Sequence, residues 1–224
     1  MDGNGRWARA RGKAHIKGHQ EGAEALRRAL RAAADAGVKW LTVYAFSSEN
    51  WNRPEQEVSD LMGLLKHYIK KEIGDLDKEH IRLRFIGDRT KLSTDIQKML
   101  ADAEVKTATN EGFHLNIALS YGSKQELTQA CQSIAHQAAQ GTIKPENISE
   151  KTLEAQLYTS GIPEPDLLIR TGGEQRLRNF LLWQLAYTEL YFTETLWPDF
   201  NAEDLSRAIE AFGQRERRYG NTHH

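Results

Sequence analysis

The chain has 224 residues, 39% of them hydrophobic and 27% charged, which is enough for one large domain with a continuous core and excludes a long disordered tail or a collagen-like repeat. Thirty Lys and Arg against 31 Asp and Glu leave a net charge of −1, so bulk electrostatics favour neither nucleic acid nor an acidic membrane, and any recognition of anions must be local. The single cysteine, Cys131, cannot close an intramolecular disulfide and suits a reducing compartment. The longest mainly apolar run, 180–192, is interrupted by Gln184, Thr188 and Glu189; it is too short to span a bilayer, and no signal peptide is evident.

Helical and extended patterns alternate along the chain without repeats, the mark of a parallel sheet covered by helices. Residues 20–36 place Ala23, Leu26, Leu30 and Ala33 on one face and stop at Gly37, which predicts a helix with a C′ glycine. The apolar and aromatic run 38–46 reads as a strand, 47–53 as a polar loop, and Pro54 as the first residue of a helix over 54–76. On that helix Val58, Leu61, Met62, Leu64, Leu65, Tyr68, Ile69 and Ile73 cover an arc of roughly 180°, wider than a surface helix needs. Such an arc fits either a helix wedged deep in the core or one wall of a hydrophobic ligand channel.

Further on, 81–86 reads as a strand, 93–109 as a helix, 113–119 as a strand and 124–139 as a helix closed near Gly141. Cys131 is expected on the apolar side of that last helix, as a small buried thiol. Residues 145–165 hold a short helix and a proline-bracketed loop, and 166–169 a fourth strand ending at Arg170. Segment 179–192 is ambiguous, its first half suiting a helix and its Tyr- and Phe-rich end a strand. A last helix, 202–217, turns Leu205, Ala208, Ile209 and Phe212 inward and ends in Arg215, Arg217 and Arg218, where capping of the macrodipole alone accounts for the charge.

In an open parallel sheet the ligand lies beyond the carboxyl ends of the strands. Three loops there are unusual: Ser47-Ser-Glu-Asn-Trp-Asn-Arg53, Ser120-Tyr-Gly-Ser-Lys124 and Arg170-Thr-Gly-Gly-Glu-Gln-Arg-Leu-Arg178. Each joins small or amide residues to a cation, the ingredients for wrapping a phosphate with backbone N–H groups and charge-assisted bonds. Any one of them alone reads as a solvated turn. The chain also opens on Asp2-Gly-Asn-Gly-Arg-Trp7, and an acidic residue beside such a loop suggests Mg²⁺ bridged to a phosphate. Glu189, a carboxylate within an aromatic run, is the second metal candidate, with a structural salt bridge as the equal alternative. The common nucleotide motifs fail: no Gly-x-x-x-x-Gly-Lys occurs, and Ala8 stands where a third Rossmann glycine belongs. The i,i+4 pair His15 and His19 lacks the Glu of His-Glu-x-x-His and encloses a glycine, which disfavours zinc.

Together the motifs resemble one family, the cis-prenyltransferases, and within it the bacterial undecaprenyl diphosphate synthase (isoprenyl transferase) group. The matching stretches are Met1 to Ala8, Gly18-His19, Tyr44-Ala-Phe-Ser-Ser-Glu-Asn-Trp-Asn-Arg-Pro54 and Asp166-Leu-Leu-Ile-Arg-Thr-Gly-Gly-Glu174. Asn179-Phe-Leu-Leu-Trp-Gln184, Thr188-Glu-Leu-Tyr-Phe192, Leu196-Trp-Pro-Asp-Phe200 and Arg218-Tyr-Gly220 continue the likeness nearly end to end.

The resemblance implies a single-domain α/β enzyme over 1–224, its mostly parallel central sheet flanked by helices and served by a hydrophobic product channel. It implies a cytoplasmic bacterial homodimer with peripheral membrane contact for product release. Such an enzyme extends an allylic diphosphate, farnesyl diphosphate, with isopentenyl diphosphate units, using Mg²⁺ and giving undecaprenyl diphosphate for cell-wall lipid carrier synthesis. By the same resemblance Asp2 is the magnesium and catalytic carboxylate, and Gly3, Asn4, Gly5, Arg6 and Arg53 hold the allylic diphosphate. Trp7, His15 and Glu49 belong to the same substrate set, and Trp51 to a mobile cover over the channel. Arg170 and Arg176 hold isopentenyl diphosphate, Arg178 belongs to the substrate-binding set, Glu189 helps place the metal, and Gly220 reaches across the dimer. His19, Ser47 and Asn50 stand near proton transfer and diphosphate departure, without sequence deciding which takes the proton.

Several positions depart from the family pattern. A strand usually leads into the Asp-Gly-Asn-Gly motif, whereas here the motif opens the chain, so the first strand is expected to be missing by N-terminal truncation. His15 stands where an arginine is common, Arg178 where a serine is usual, and Ser123-Lys124 where Gly-Arg is usual. A neutral His15 would weaken phosphate binding, and reduced diphosphate affinity is the expectation. The alternative from another class is a catalytically weak or inactive scaffold subunit of the same fold. A single-strand nucleic-acid binder would suit the aromatic and basic loops but not the net charge.

Overall fold

The computed structural model describes residues 1–214, so the expectations for Arg215, Arg217, Arg218 and Gly220 lie outside the described residues. In chain order it holds α1 (Asn4–Ala10), α2 (His15–Asp35), β1 (Trp40–Ser47), α3 (Glu55–Lys78), β2 (Ile81–Ile86), α4 (Thr94–Thr107) and β3 (Phe113–Tyr121). There follow α5 (Ser123–Ala139), α6 (Glu150–Glu154), β4 (Leu167–Arg170), β5 (Glu189–Phe192) and α7 (Ala202–Gly213). Every strand pairing is parallel, as expected, but the strands form two sections, β1-β3-β2 and β4-β5.

β3 is central, and Phe113, Leu115, Ala118, Leu119 and Tyr121 are all buried along it, the near-continuous apolar run of a parallel strand covered on both faces. Beyond it, β2 has an edge without a strand partner among the described residues, and α4 and the turn after it cover that edge with side chains. Leu83 N–H donates to Thr107 Oγ1 at 3.1 Å, Phe85 N–H to Glu104 Oε1 at 2.7 Å, and Asn110 Nδ2 to the Ile81 carbonyl at 3.0 Å. The edge is satisfied without a further strand.

Four expectations change. The opening motif suggests a loop, yet Asn4–Ala10 is helical, entered through Gly3 at φ 107° and buried through Trp7 and Ala8. It lies so close to α2 that a Cβ on Gly18 would run into the Asn4 carbonyl. Cys131 is exposed, because the buried stripe of α5 runs through Ser123, Glu126, Ala130 and Ile134. On α3 only Ile69 is buried, while Val58, Leu61, Met62, Leu65 and Ile73 pack half-covered against the main core, so the helix is not wedged deep in it. The ambiguous 179–192 segment turns, with Asn179 at φ 58° and Leu181 at φ 47°, before β5 begins; two left-handed residues so close together break a helix.

Between the two sheet sections lies a cavity of about 920 Å³. β1 lines one side and β4 the other, each by the edge away from its strand partner, and Ala29 and Ala33 of α2 also border it. At its polar end are the loops that follow β1 and β4, together with the start of α1.

Candidate active site

The site is built on the C-terminal end of β4. Arg170, the last strand residue, is only 7% exposed. After it Gly172 and Gly173 adopt φ 86° and 74°, a backbone that L side chains adopt only under strain. Thr171 latches the start of the chain: its Oγ1 accepts from Asp2 N–H at 2.9 Å and donates to the Asp2 carbonyl at 3.0 Å, while Trp197 N–H donates to the same carbonyl at 2.9 Å.

So held, the Asp2 carboxylate takes the Gly3 N–H on Oδ1 at 2.8 Å and Arg170 Nη2 on Oδ2 at 3.0 Å, with Arg178 Nη1 3.6 Å from Oδ2. Burial alone would push its pKa up. The Arg170 bond, the Arg178 charge and the Gly3 N–H outweigh that and hold the carboxyl below the usual carboxylate range. Arg170 also donates to the carbonyl of Arg176, whose own guanidinium pairs with Glu174.

The loop after β1 is a 3-10 turn, Ser48–Asn52, closed by Ser47 N–H donating to Asn50 Oδ1 at 3.0 Å. Arg53 follows and donates to Glu57 Oε1 at 2.7 Å across the first turn of α3, and His15 Nδ1 approaches the same oxygen at 3.5 Å. His19 packs edge-on against His15 with ring centroids 4.9 Å apart, and its Nδ1 lies 3.4 Å from Asn4 Nδ2. Burial, then the His15 and Arg53 charges, push the His19 pKa down to about 4, against the opposing pull of Glu57.

Of the residues anticipated from sequence, Asp2, Gly3, Asn4, Gly5, Arg6, His15 and His19 all line the one cavity. Ser47, Asn50, Arg53, Arg170, Arg176 and Arg178 line it with them. Others are placed elsewhere. Trp7 is 6% exposed and its indole N–H donates to Asp199 Oδ1 at 2.6 Å, so it cements α1 to the segment before α7 instead of facing substrate. Glu49 accepts from Asn179 Nδ2 at 2.7 Å and fastens one loop to another. Trp51 donates to Ser120 Oγ at 2.9 Å and packs edge-on against Phe46, which ties down the expected cover. Glu189 pairs in register with Leu167, three residues before the Phe192–Arg170 pair beside Asp2. At about 3.3 Å per residue that sets the Glu189 backbone about 10 Å along the strand from the level of Arg170.

Sequence reasoning missed Thr171 and Glu57. The first is a backbone latch with no pattern of its own, whereas the i,i+4 spacing of Glu57 from Arg53 was visible in the sequence.

A carboxylate held among arginines at the carboxyl ends of parallel strands defines an α/β protein built to bind anionic groups. Residues 1–220 match the family described as "Putative undecaprenyl diphosphate synthase". The isoprenyl transferase of Rhizobium meliloti (strain 1021) is 53% identical over 220 residues, covering 98% of this chain and 89% of the relative. That of Porphyromonas gingivalis (strain ATCC BAA-308 / W83) is 53% identical over 222 residues, covering 99% and 87%. The crystal structure of lavandulyl diphosphate synthase from Lavandula x intermedia, in complex with dimethylallyl diphosphate, superposes with a TM-score of 0.95 at 37% identity, covering 99% of this chain and 95% of that one. The chain belongs to the undecaprenyl diphosphate synthase family of prenyltransferases.

Proposed function

We propose that this protein elongates farnesyl diphosphate with isopentenyl diphosphate units to a cis-polyprenyl diphosphate, undecaprenyl diphosphate, for the cell-wall lipid carrier. The observation that carries the reading is the ionised Asp2 carboxylate held by Arg170 and Arg178 in a cavity that Arg6, Arg53 and Arg176 also line. Breaking the allylic C–O bond builds negative charge on diphosphate, and positioned guanidinium groups lower the energy of that state more than that of the ground state.

The residues present fit Mg²⁺: one low-pKa carboxylate with lone pairs to spare, in a cavity open to phosphate oxygens and water. Asp2 would hold the ion, which when bound neutralises the departing diphosphate. Arg6, Arg53 and the Gly3-Asn4-Gly5 backbone bind the allylic diphosphate in this reading, Arg170 and Arg176 bind the isopentenyl diphosphate, and Arg178 stands beside them as a bulkier cation. His19, Ser47 and Asn50 stand at the rim between them as the proton-handling group. In this reading the half-covered apolar stripe of α3, which packs on the main core and reaches the cavity at Leu61, would wall the channel for the growing chain.

The reading includes a cytoplasmic homodimer that touches the membrane peripherally to release product. Among the described residues no helix is long and apolar enough to cross a membrane.

The test is incorporation of labelled isopentenyl diphosphate into butanol-extractable lipid with farnesyl diphosphate and Mg²⁺, with and without chelator, resolved by chain length. Chelator-sensitive product supports the reading and reports its length. Absence of product, both from this chain and with a strand supplied ahead of Met1, favours a scaffold subunit instead.

A further inference from the structure

The i,i+4 histidines of α2 acquire from another helix the carboxylate that their own sequence lacks. His15 and His19 lie on one face of α2, and Glu57, from the first turn of α3, closes the triangle: one ligand atom from each lies within 4.8 Å of the other two. Two imidazoles and a carboxylate form a donor set for zinc, whose tetrahedral ligands at 2.0–2.2 Å stand about 3.4 Å apart. The gap closes by side-chain rotations, for which the 47% exposure of the His15 side chain leaves room on its solvent side although its ring rests on Gly5 and His19.

A second observation points the same way. His19 Nε2 is buried and has no hydrogen-bond partner, a costly state for a ring nitrogen. Its other nitrogen, Nδ1, is 3.4 Å from the Asn4 carboxamide. Turned over, that amide offers an oxygen to Nδ1–H, the outer bond that orients a metal-bound histidine and leaves Nε2 free to ligate.

We propose that His15, His19 and Glu57 form a zinc-binding site at the rim of the cavity, separate from Asp2 and selective for a borderline-soft divalent ion over Mg²⁺. Selectivity follows from ligand type, since imidazole suits zinc and Mg²⁺ prefers an all-oxygen shell. The histidines line the cavity wall, so the fourth position of the ion faces the space where water or a phosphate oxygen would sit. The site rests on these three side chains and not on the prenyl-transfer reading, although a zinc-loaded His19 would no longer be free to take a proton in that reaction.

The test is calorimetric titration of the full chain with ZnCl₂ in excess MgCl₂, with Co²⁺ absorption as a probe of tetrahedral coordination. One zinc per chain with micromolar affinity is expected. The variants His15→Arg and Glu57→Gln, with circular dichroism verifying that each is folded, should each weaken it at least about tenfold, as losing a direct ligand costs no less than losing an outer-sphere partner. Deleting His223 and His224 should leave it unchanged. No zinc uptake, uptake untouched by both substitutions, or uptake abolished by the terminal deletion would each overturn the proposal.

Discussion

Arg170 and Asp2, 168 residues apart in sequence, form the ion pair at the centre of the site: Nη2 stands 3.0 Å from Oδ2, with the arginine side chain 9% and the aspartate side chain 26% exposed. Asp2 is thus both the metal carboxylate of the proposed reaction and the counter-charge that makes a buried guanidinium tolerable. Asp2→Ala is therefore expected to abolish prenyl transfer and to destabilise the fold by about 3 kcal/mol, because it leaves Arg170 buried without its partner. Paired urea unfolding and isotope incorporation check this. Loss of activity with unchanged stability would mean that Arg170 is neutralised by another group.

His19 couples the same pocket to pH. Its pKa is 6.5 in the unfolded chain and about 4 when folded, so between those values the unfolded state carries the proton and the folded state does not. A depressed histidine stabilises fully above the upper value, and that contribution is lost as pH falls through the window. The shift corresponds to about 3 kcal/mol. Stability of the native chain should therefore drop more steeply from pH 7 to pH 4.5 than that of His19→Gln, measured by urea unfolding at each pH. Parallel slopes would show that the ring is not buried neutral.

Much of this architecture is legible in sequence, and the misses share a cause. β2 was read with its final bounds because a short apolar run between turn signals has one reading. Arg170 and Gly172 were found because strand ends and glycines announce themselves locally. α1 was missed because its buried surface amounts to Trp7 and Ala8, too few positions to make a period. Cys131 was misplaced because the buried stripe of α5 follows Glu126, a charged residue that looks exposed until Tyr121, Tyr158 and Gln184 are seen bonding to it. The Arg53–Glu57 pair has a local i,i+4 signature, but the approach of Glu57 to His15 arises only where α3 meets α2, a tertiary fact that no local pattern carries.

Arg178 offers a test of tuning at the metal carboxylate. It sits at φ 52°, a left-handed backbone, with its guanidinium 3.6 Å from Asp2 Oδ2 and its side chain 48% exposed. A cation there competes with a metal ion for the same oxygen. An exposed pair contributes about 1 kcal/mol or less, so Arg178→Ser should lower the Mg²⁺ concentration for half-maximal activity by up to about fivefold. It should also lower the KM for diphosphate substrate if the bulk of arginine obstructs the site. Magnesium and substrate titrations of the two proteins decide; an unchanged metal requirement would mean that Arg178 serves the diphosphate alone.

The space between β1 and β4 carries an expected gain in stability. Among the described residues both strands present an edge without a strand partner to one cavity of about 920 Å³, between the Asp2 loop and the alanines of α2. Backbone edges that face each other across a slot are satisfied by one parallel strand that bonds to both. A segment of about seven β-branched and apolar residues fused ahead of Met1 should fill it, uniting the two sheet sections. The added burial and hydrogen bonds should raise Tm by at least about 5 °C for a chain of this size, and amide exchange in β1 and β4 should slow together. The control is a fusion of equal length that alternates glycine and glutamate. If both fusions leave Tm and exchange unaltered, the slot does not accept a strand and the two sheet sections are stable as they stand.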